Sequence, residues 1–314
     1  MPRFLIRRVA LIGITLLIVS VIIFVATEIL PGDVASVILG QSATPEDLEN
    51  LRRDLGLDRP LYVRYLDWIT GVLRGDLGVS AVFHWPVFQL VTERLGNSAI
   101  LAGFGFLVAV PAAVLTGVWA GVHKESLGDR IASILALVGI SLPEFVTGVF
   151  LIVLFSSTLG LLPASSVILP GTSPFTRPQI LVMPALTLTG VLFAYIMRMT
   201  RENVIAVMES NYVRTAVLKG LPMRRIVIRH VVPNAMLPTI TVIASSIGWM
   251  FGGLIIVESV FSYAGLGRLM MDAVTNRDVP LLQALALLSA ATYSFCNLVA
   301  DLCYAALNPR VRLG

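Results

Sequence analysis

Charge is scarce in this chain: 13% of its 314 residues are Asp, Glu, Lys or Arg, against about 25% in an average soluble domain. A soluble sphere of this size needs far more polar surface. A soluble enzyme, a secreted disulfide scaffold, a disordered regulator and a nucleic-acid module are therefore excluded. Cysteine is nearly missing. Cys296 and Cys303 lie seven positions apart in one apolar segment, about 10 Å of helical rise and beyond disulfide reach, so they read as small core hydrophobes. Lysine is limited to Lys124 and Lys219, followed by Glu125 and Gly220. No Gly-Lys-Ser/Thr phosphate loop exists, so any ATP must bind on another polypeptide. The three histidines, His84, His123 and His230, all fall in loops. They argue against a histidine-built metal site, and they leave Ser141 without the base that an intramembrane hydrolase requires.

What the chain has instead is apolar length. Hydrophobic residues make up 56% of it and the mean hydropathy is +0.86. Uncharged runs occur at 9–27, 99–122, 180–197, 235–257 and 281–300, and a sixth, 131–162, is interrupted only by Glu144. Each can cross a hydrocarbon core of about 30 Å at about 1.5 Å per residue. The expected fold is an all-α integral membrane protein with six transmembrane helices. The run at 131–162 is long enough to tilt, or to leave the membrane near Pro163. Arg3, Arg7 and Arg8 ahead of the first run suit a signal peptide. That run exceeds the usual ~7–15 residues, however, and no small-x-small cleavage site follows it, so it is read as a retained span.

Six spans put both termini on one side. That side carries Arg3, Arg7, Arg8, Lys124, Arg130, Arg310 and Arg312, and the loop between the fourth and fifth spans adds Arg198, Arg201, Arg214, Lys219, Arg224, Arg225 and Arg229. The opposite side is much longer yet holds the remaining nine of the 23 basic residues. Short basic loops stay in the cytoplasm, so both termini are expected there. The basic balance follows from topology and needs no nucleic acid. Two connections are long enough to be functional or separately folded. One runs from about 28 to 97 on the external side, and the other is the cytoplasmic stretch at about 198–234. The expected division is 1–97, a first transmembrane helix plus a long periplasmic segment, and 98–314, a five-helix core carrying the cytoplasmic loop.

That cytoplasmic loop has a clear pattern. Glu202, Asn203, Glu209, Asn211 and Arg214 alternate with Val204, Ile205, Met208, Tyr212, Val213 and Val217, which predicts one amphipathic helix from Arg201 onward. Gly220 and Pro222 should stop it, since Gly suits a left-handed C-terminal position and Pro cannot continue the ladder. A second short helix, 223–232, should end at Pro233. Pattern alone fits a helix lying on the bilayer surface as well as one presented to a cytoplasmic partner.

Thr215-Ala216, then Gly220, then Pro233 resembles the "EAA" loop of ABC-importer permeases, with Arg214 where the motif has Glu. Further blocks follow in order: Leu30-Pro31-Gly32-Asp33, Gly56-Leu57-Asp58-Arg59-Pro60-Leu61 and Gly75-Asp76-Leu77-Gly78-Val79-Ser80. Glu258-Ser259-Val260-Phe261-Ser262-Tyr263-Ala264-Gly265-Leu266-Gly267 comes after the fifth span, and Asp301 through Asn308-Pro309-Arg310 closes the chain. Together they resemble the "B" permease subunit of dipeptide/oligopeptide/nickel importers. Asn308 stands where that family usually has Asp.

The resemblance implies a type I ABC importer transmembrane domain in the bacterial inner membrane, working with a paralogous permease, two cytoplasmic ATPases and a periplasmic solute-binding protein. It implies no cofactor on this chain, with ATP and Mg held by the ATPases. It also implies that Glu209, Tyr212, Arg214, Thr215, Ala216, Lys219, Gly220, Pro222 and Pro233 form the coupling element. Gly75, Asp76, Gly78, Glu258, Gly265, Gly267, Asp301, Pro309 and Arg310 are its structural motif residues. Cargo is expected to be a di- or oligopeptide or a related small solute, with a nickel chelate as the alternative.

Glu144 is the one ionisable group well inside a span, and a carboxylate there costs several kcal/mol unless it faces protein or water. It is the pathway candidate, able to meet a substrate amino group or to satisfy a helix distorted by Pro143. Glu28, Glu258 and Asp301 sit at span ends, where interfacial solvation is the plainer reading. Pro111, Pro143, Pro184 and Pro238 are static bends or hinges. A secondary transporter is the main rival, but it has no use for the long basic loop.

Overall fold

The computed structural model describes residues 2–29, 39, 44–54, 56, 58–169 and 171–307. The family blocks at 30–33 and 308–310, with Pro309 and Arg310, lie outside them. α1 is Pro2–Ile29, α2 Pro45–Asp54, α3 Leu61–Leu73, α4 Val87–Val122, α5 Leu127–Ser141 and α6 Glu144–Leu151. α7 is Gln179–Met208, α8 Asn211–Leu218, α9 Met223–Ile226, α10 Val232–Val260, α11 Leu266–Thr275 and α12 Val279–Leu307. Among the described residues, extended pairing is limited to one isolated antiparallel bridge, Val79 with Pro86. Among the described residues, five helical segments are long and apolar enough to cross a membrane, and six if the bent pair α5–α6 counts as one.

That pair is the run at 131–162 expected as one span, and a sharp bend interrupts it. The two legs, Leu127–Ser141 and Glu144–Thr158, meet at 110°. Pro143 disfavours helical geometry for the residue before it, and Leu142 is extended at φ −88, ψ 130. α5 closes there with a bond from the Leu142 N–H to Val138 O, 3.2 Å. α6 then widens into π-helical turns over Ile152–Thr158. Pro111, Pro184 and Pro238 instead lie inside α4, α7 and α10.

Contacts divide the chain into two units, Met1–Ser98 with Ala264–Ser294, and Ala99–Tyr263 with Phe295–Gly314. In the first, α1 exposes Ile14, Leu17, Ile18 and Ile22, as a helix solvated by lipid does. Its polar residues turn to protein. Ser20 and Tyr65 share a hydrogen bond of 2.9 Å, Gln283 donates to Thr27 at 2.7 Å, and Phe24 meets the Tyr65 ring edge-on at 5.5 Å. Arg64 of α3 grips the Glu28 carboxylate with two bonds of 2.7 Å. Glu28 therefore has a protein partner where interfacial solvation was expected. Val87, Val91, Leu269, Ala273, Leu281 and Leu285 form this unit's apolar cluster.

The second unit is built around α7. Its Leu181, Met183, Leu188, Leu192, Ile196 and Met197 are fully or almost fully buried. α4 approaches it through glycines: a Cβ on Gly117 would lie 2.6 Å from Met197 O, and one on Gly121 2.7 Å from Val204. Small residues four apart let two membrane helices pack backbone to side chain, which lipid contact cannot reward as well. Gly105 meets Thr189 in the same way, at 2.7 Å.

Candidate functional site

The predicted coupling stretch folds as an elbow. α7 continues through Met208, turns at Glu209 and Ser210, and restarts as α8, Asn211–Leu218. This corrects the single helix expected from Arg201 onward. The break falls at Ser210, which is extended at φ −73, ψ 149, a conformation that suits a helix N-cap residue. α8 stops where expected. Gly220 takes φ +75, its N–H reaches Val217 O at 2.9 Å, and the Leu221 N–H reaches Ala216 O at 3.3 Å. That is a Schellman closure, which needs a left-handed residue. Pro222 then opens α9 at φ −66. Pro233 does not end a helix, contrary to expectation. The chain passes through a π turn at Val227–Val231 and enters α10 with Pro233 in the first turn, where no intrahelical donor is needed.

The elbow's two faces differ. Val213 and Ala216 of α8 pack with Val204, Ile226, Val231 and Ala235 in one buried cluster, bordered by Val118 and Val122 of α4. The other face carries Tyr212, Arg214, Thr215, Val217 and Lys219 exposed, with Leu218 80% accessible. Ala216 therefore serves as an anchor and offers no outward contact. Leu218 and Met223, not singled out from the sequence, are exposed large apolar side chains beside the predicted set. Lys124, before α5, donates to Glu209 at 2.9 Å, and that bond and charge hold its pKa above the ordinary lysine value. The pair is exposed and contributes little.

Sequence reading missed the ion pair behind the elbow. Asp129 is 1% accessible. Arg201 of α7 grips both its carboxylate oxygens, one at 2.7 Å, and the Glu125 N–H donates to it at 2.9 Å. The Asp129 N–H in turn donates to Ser126, the N-cap of α5, at 3.1 Å. Ser126-x-x-Asp129 is a capping-box spacing visible in sequence; the Arg201 partner, 72 positions on, is not.

The family-matched residues hold local geometry. Gly75 (φ +85) closes α3 with a second Schellman turn, and Asp76 accepts from the Gly78 N–H at 2.9 Å, with Gly78 at φ +78. Ser80 donates to Asp278, whose carboxylate also accepts from the Ala81 N–H at 3.1 Å. Asp278 is fully buried and was likewise missed. Gly265 is the N-cap of α11 and Gly267 is buried within it. Glu258, expected at an interface with water, is fully buried beside Tyr263, whose phenol is pushed up first by burial and then by the Glu258 charge. Asp301 lies in α12, half-buried. Glu144 opens α6 at the 110° bend, and its carboxylate fills the space beside Gly253 of α10: a Cβ there would be 2.7 Å from Oε1.

The described residues form a helical membrane protein whose elbow has one buried and one exposed face. The chain belongs to the binding-protein-dependent transport system inner membrane component family, which it matches over residues 113–313, and residues 1–98 match the N-terminal family of such membrane components. It is 37% identical over 312 residues to the glutathione transport system permease protein GsiC of Shigella flexneri, and equally to those of Salmonella typhi and Escherichia coli, covering 99% of each chain. It is a permease subunit of an ABC importer of the inner membrane, with ATP hydrolysis on a separate subunit.

Proposed function

We propose that this chain carries small peptides or peptide-like solutes such as glutathione, forming half of the pathway with a paralogous permease. A periplasmic binding protein would deliver the cargo. Two cytoplasmic ATPases, holding ATP and Mg, would dock on the elbow. The observation that carries the coupling assignment is the division of α8: its inner face is locked onto α7 and α10, and its outer face leaves Tyr212, Val217 and Leu218 uncovered within this chain. Arg214, Thr215 and Lys219 then supply the polar rim, Glu209 and Gly220–Pro222 fix the angle, and Pro233 leads the motion into α10. A push on α8 moves α7 and α10 together because the buried cluster leaves no slack between them. The cargo assignment is supported by the end-to-end likeness to glutathione permeases.

The test is uptake of labelled dialanine and glutathione by proteoliposomes holding the whole importer and its binding protein. Uptake should require ATP on the elbow side. Leu218→Glu should abolish it and release the ATPases on purification, with the chain still inserted. Solute carried by this chain alone on an ion gradient overturns the coupling reading, and ATP-driven uptake that excludes every peptide overturns the cargo.

A further inference from the structure

Besides the elbow, the second unit has an open cavity of about 440 Å³ on the face shared by α7 and α10, lined by Tyr195, Thr241, Val242, Ser245, Ser246 and Trp249. Tyr195 and Trp249 are about half exposed there, at 48% and 58%. Three hydroxyls share this face, those of Thr241, Ser245 and Ser246. Those hydroxyls are also oriented. Ser245 donates to Thr241 O at 3.0 Å, Ser246 to Val242 O at 2.7 Å and Thr241 to Leu237 O at 3.4 Å. With their protons committed to the helix backbone, they present oxygen lone pairs to the cavity.

Along α10 the same stripe continues from Ser245 and Ser246 through Trp249 to Gly253, one turn further and about 6 Å of rise away. Gly253 is where the Glu144 carboxylate comes to rest. Among the described residues, no hydrogen bond or ion pair reaches that carboxylate. The stripe thus offers acceptors and aromatic faces and ends at an unpaired carboxyl group. Each of these attracts a cation that donates hydrogen bonds.

We infer that this stripe is a transit subsite for the ammonium end of a peptide, with the cation passing between the faces of Trp249 and Tyr195 and the Glu144 carboxylate. The assignment rests on the peptide reading above and narrows it to cargo with a free amino terminus. Gly253 is the residue that keeps room for the carboxylate, and Glu144 is the group that pairs with the cargo. A binding protein selects cargo before it reaches this point; the subsite acts on what has been delivered.

The experiment measures dialanine uptake and ATP hydrolysis by the complete reconstituted importer at saturating binding protein. Glu144→Gln is expected to cut uptake at least tenfold while hydrolysis stimulated by the binding protein stays at the wild-type rate. Glu144→Asp should recover part of the loss. Gly253→Ala, which crowds the carboxylate, should lower uptake in the same way. Unchanged uptake in Glu144→Gln, in an importer that carries dialanine, overturns this subsite and leaves the peptide reading intact. No uptake of any peptide by the wild type overturns both. Loss of the second permease from the complex purified with Ser245→Leu would make the cavity a subunit contact and also overturn the assignment.

Discussion

Asp129 shows how little of a buried charge is visible one residue at a time. Its helix-start role is plain from Ser126-x-x-Asp129, yet what lets a carboxylate sit at 1% exposure is Arg201 closing over both its oxygens. Removing one partner from such a pair costs about 3–5 kcal/mol, because the other stays buried and uncompensated. Arg201→Ala should therefore lower the detergent-solubilised protein's thermal midpoint sharply, and adding Asp129→Asn should recover most of it. Asp278 offers the same test in the first unit. It gathers Ser80 and the Ala81 and Leu281 N–H groups, so Asp278→Ala should open the 79–86 loop to protease while α7 stays protected. Arg201 and Asp278 carry ordinary residue letters in ordinary places, and only their partners make them structural.

Among the elements, α4 and α8 are decided by glycine for different reasons. Gly117 is required by approach: its missing Cβ would stand 2.6 Å from a backbone oxygen, which cannot rotate away. Gly117→Ala should cost about 1–3 kcal/mol by overpacking, whereas Gly103→Ala, with nothing within 4 Å, should be neutral or slightly stabilising. Chemical unfolding of the two variants separates them. Gly220 is required by conformation. At φ +75 proline is impossible and other residues are strained, so Gly220→Pro should abolish uptake while membrane insertion continues. Ala216→Glu should fail for another cause, a charge driven into the Val204–Ile226 cluster. It should lose thermal stability as well as transport, which a melting curve will report. The elbow was legible as an interrupted amphipathic stretch, because Gly and Pro act locally. Its break at Ser210 was not legible, since the hydrophobic period runs through the turn unaltered. The 110° bend was missed for a like reason: apolar length at 131–162 reads the same whether the chain runs straight or folds back at Pro143.

For the whole molecule, the elbow's exposed face and the missing phosphate loop lead to one expectation about energy. Transport by the assembled importer should follow ATP supply and be indifferent to an imposed proton or sodium gradient. Collapsing each gradient with an ionophore in proteoliposomes checks this, and uptake that falls with the gradient at constant ATP would refute it. Composition and order alone determined that the chain lives in a membrane, how many apolar runs it has, which loops are basic and where the elbow stops. These properties are additive along the chain or confined to a few neighbouring residues, so no knowledge of the fold is needed to read them. Tertiary structure decided which face of α8 is free, which carboxylates are paired, and that Glu144 lies against Gly253 at the end of an aromatic and hydroxyl stripe. Each of those depends on residues tens to hundreds of positions apart meeting in space, and a linear pattern carries no record of which distant backbone will leave room for them.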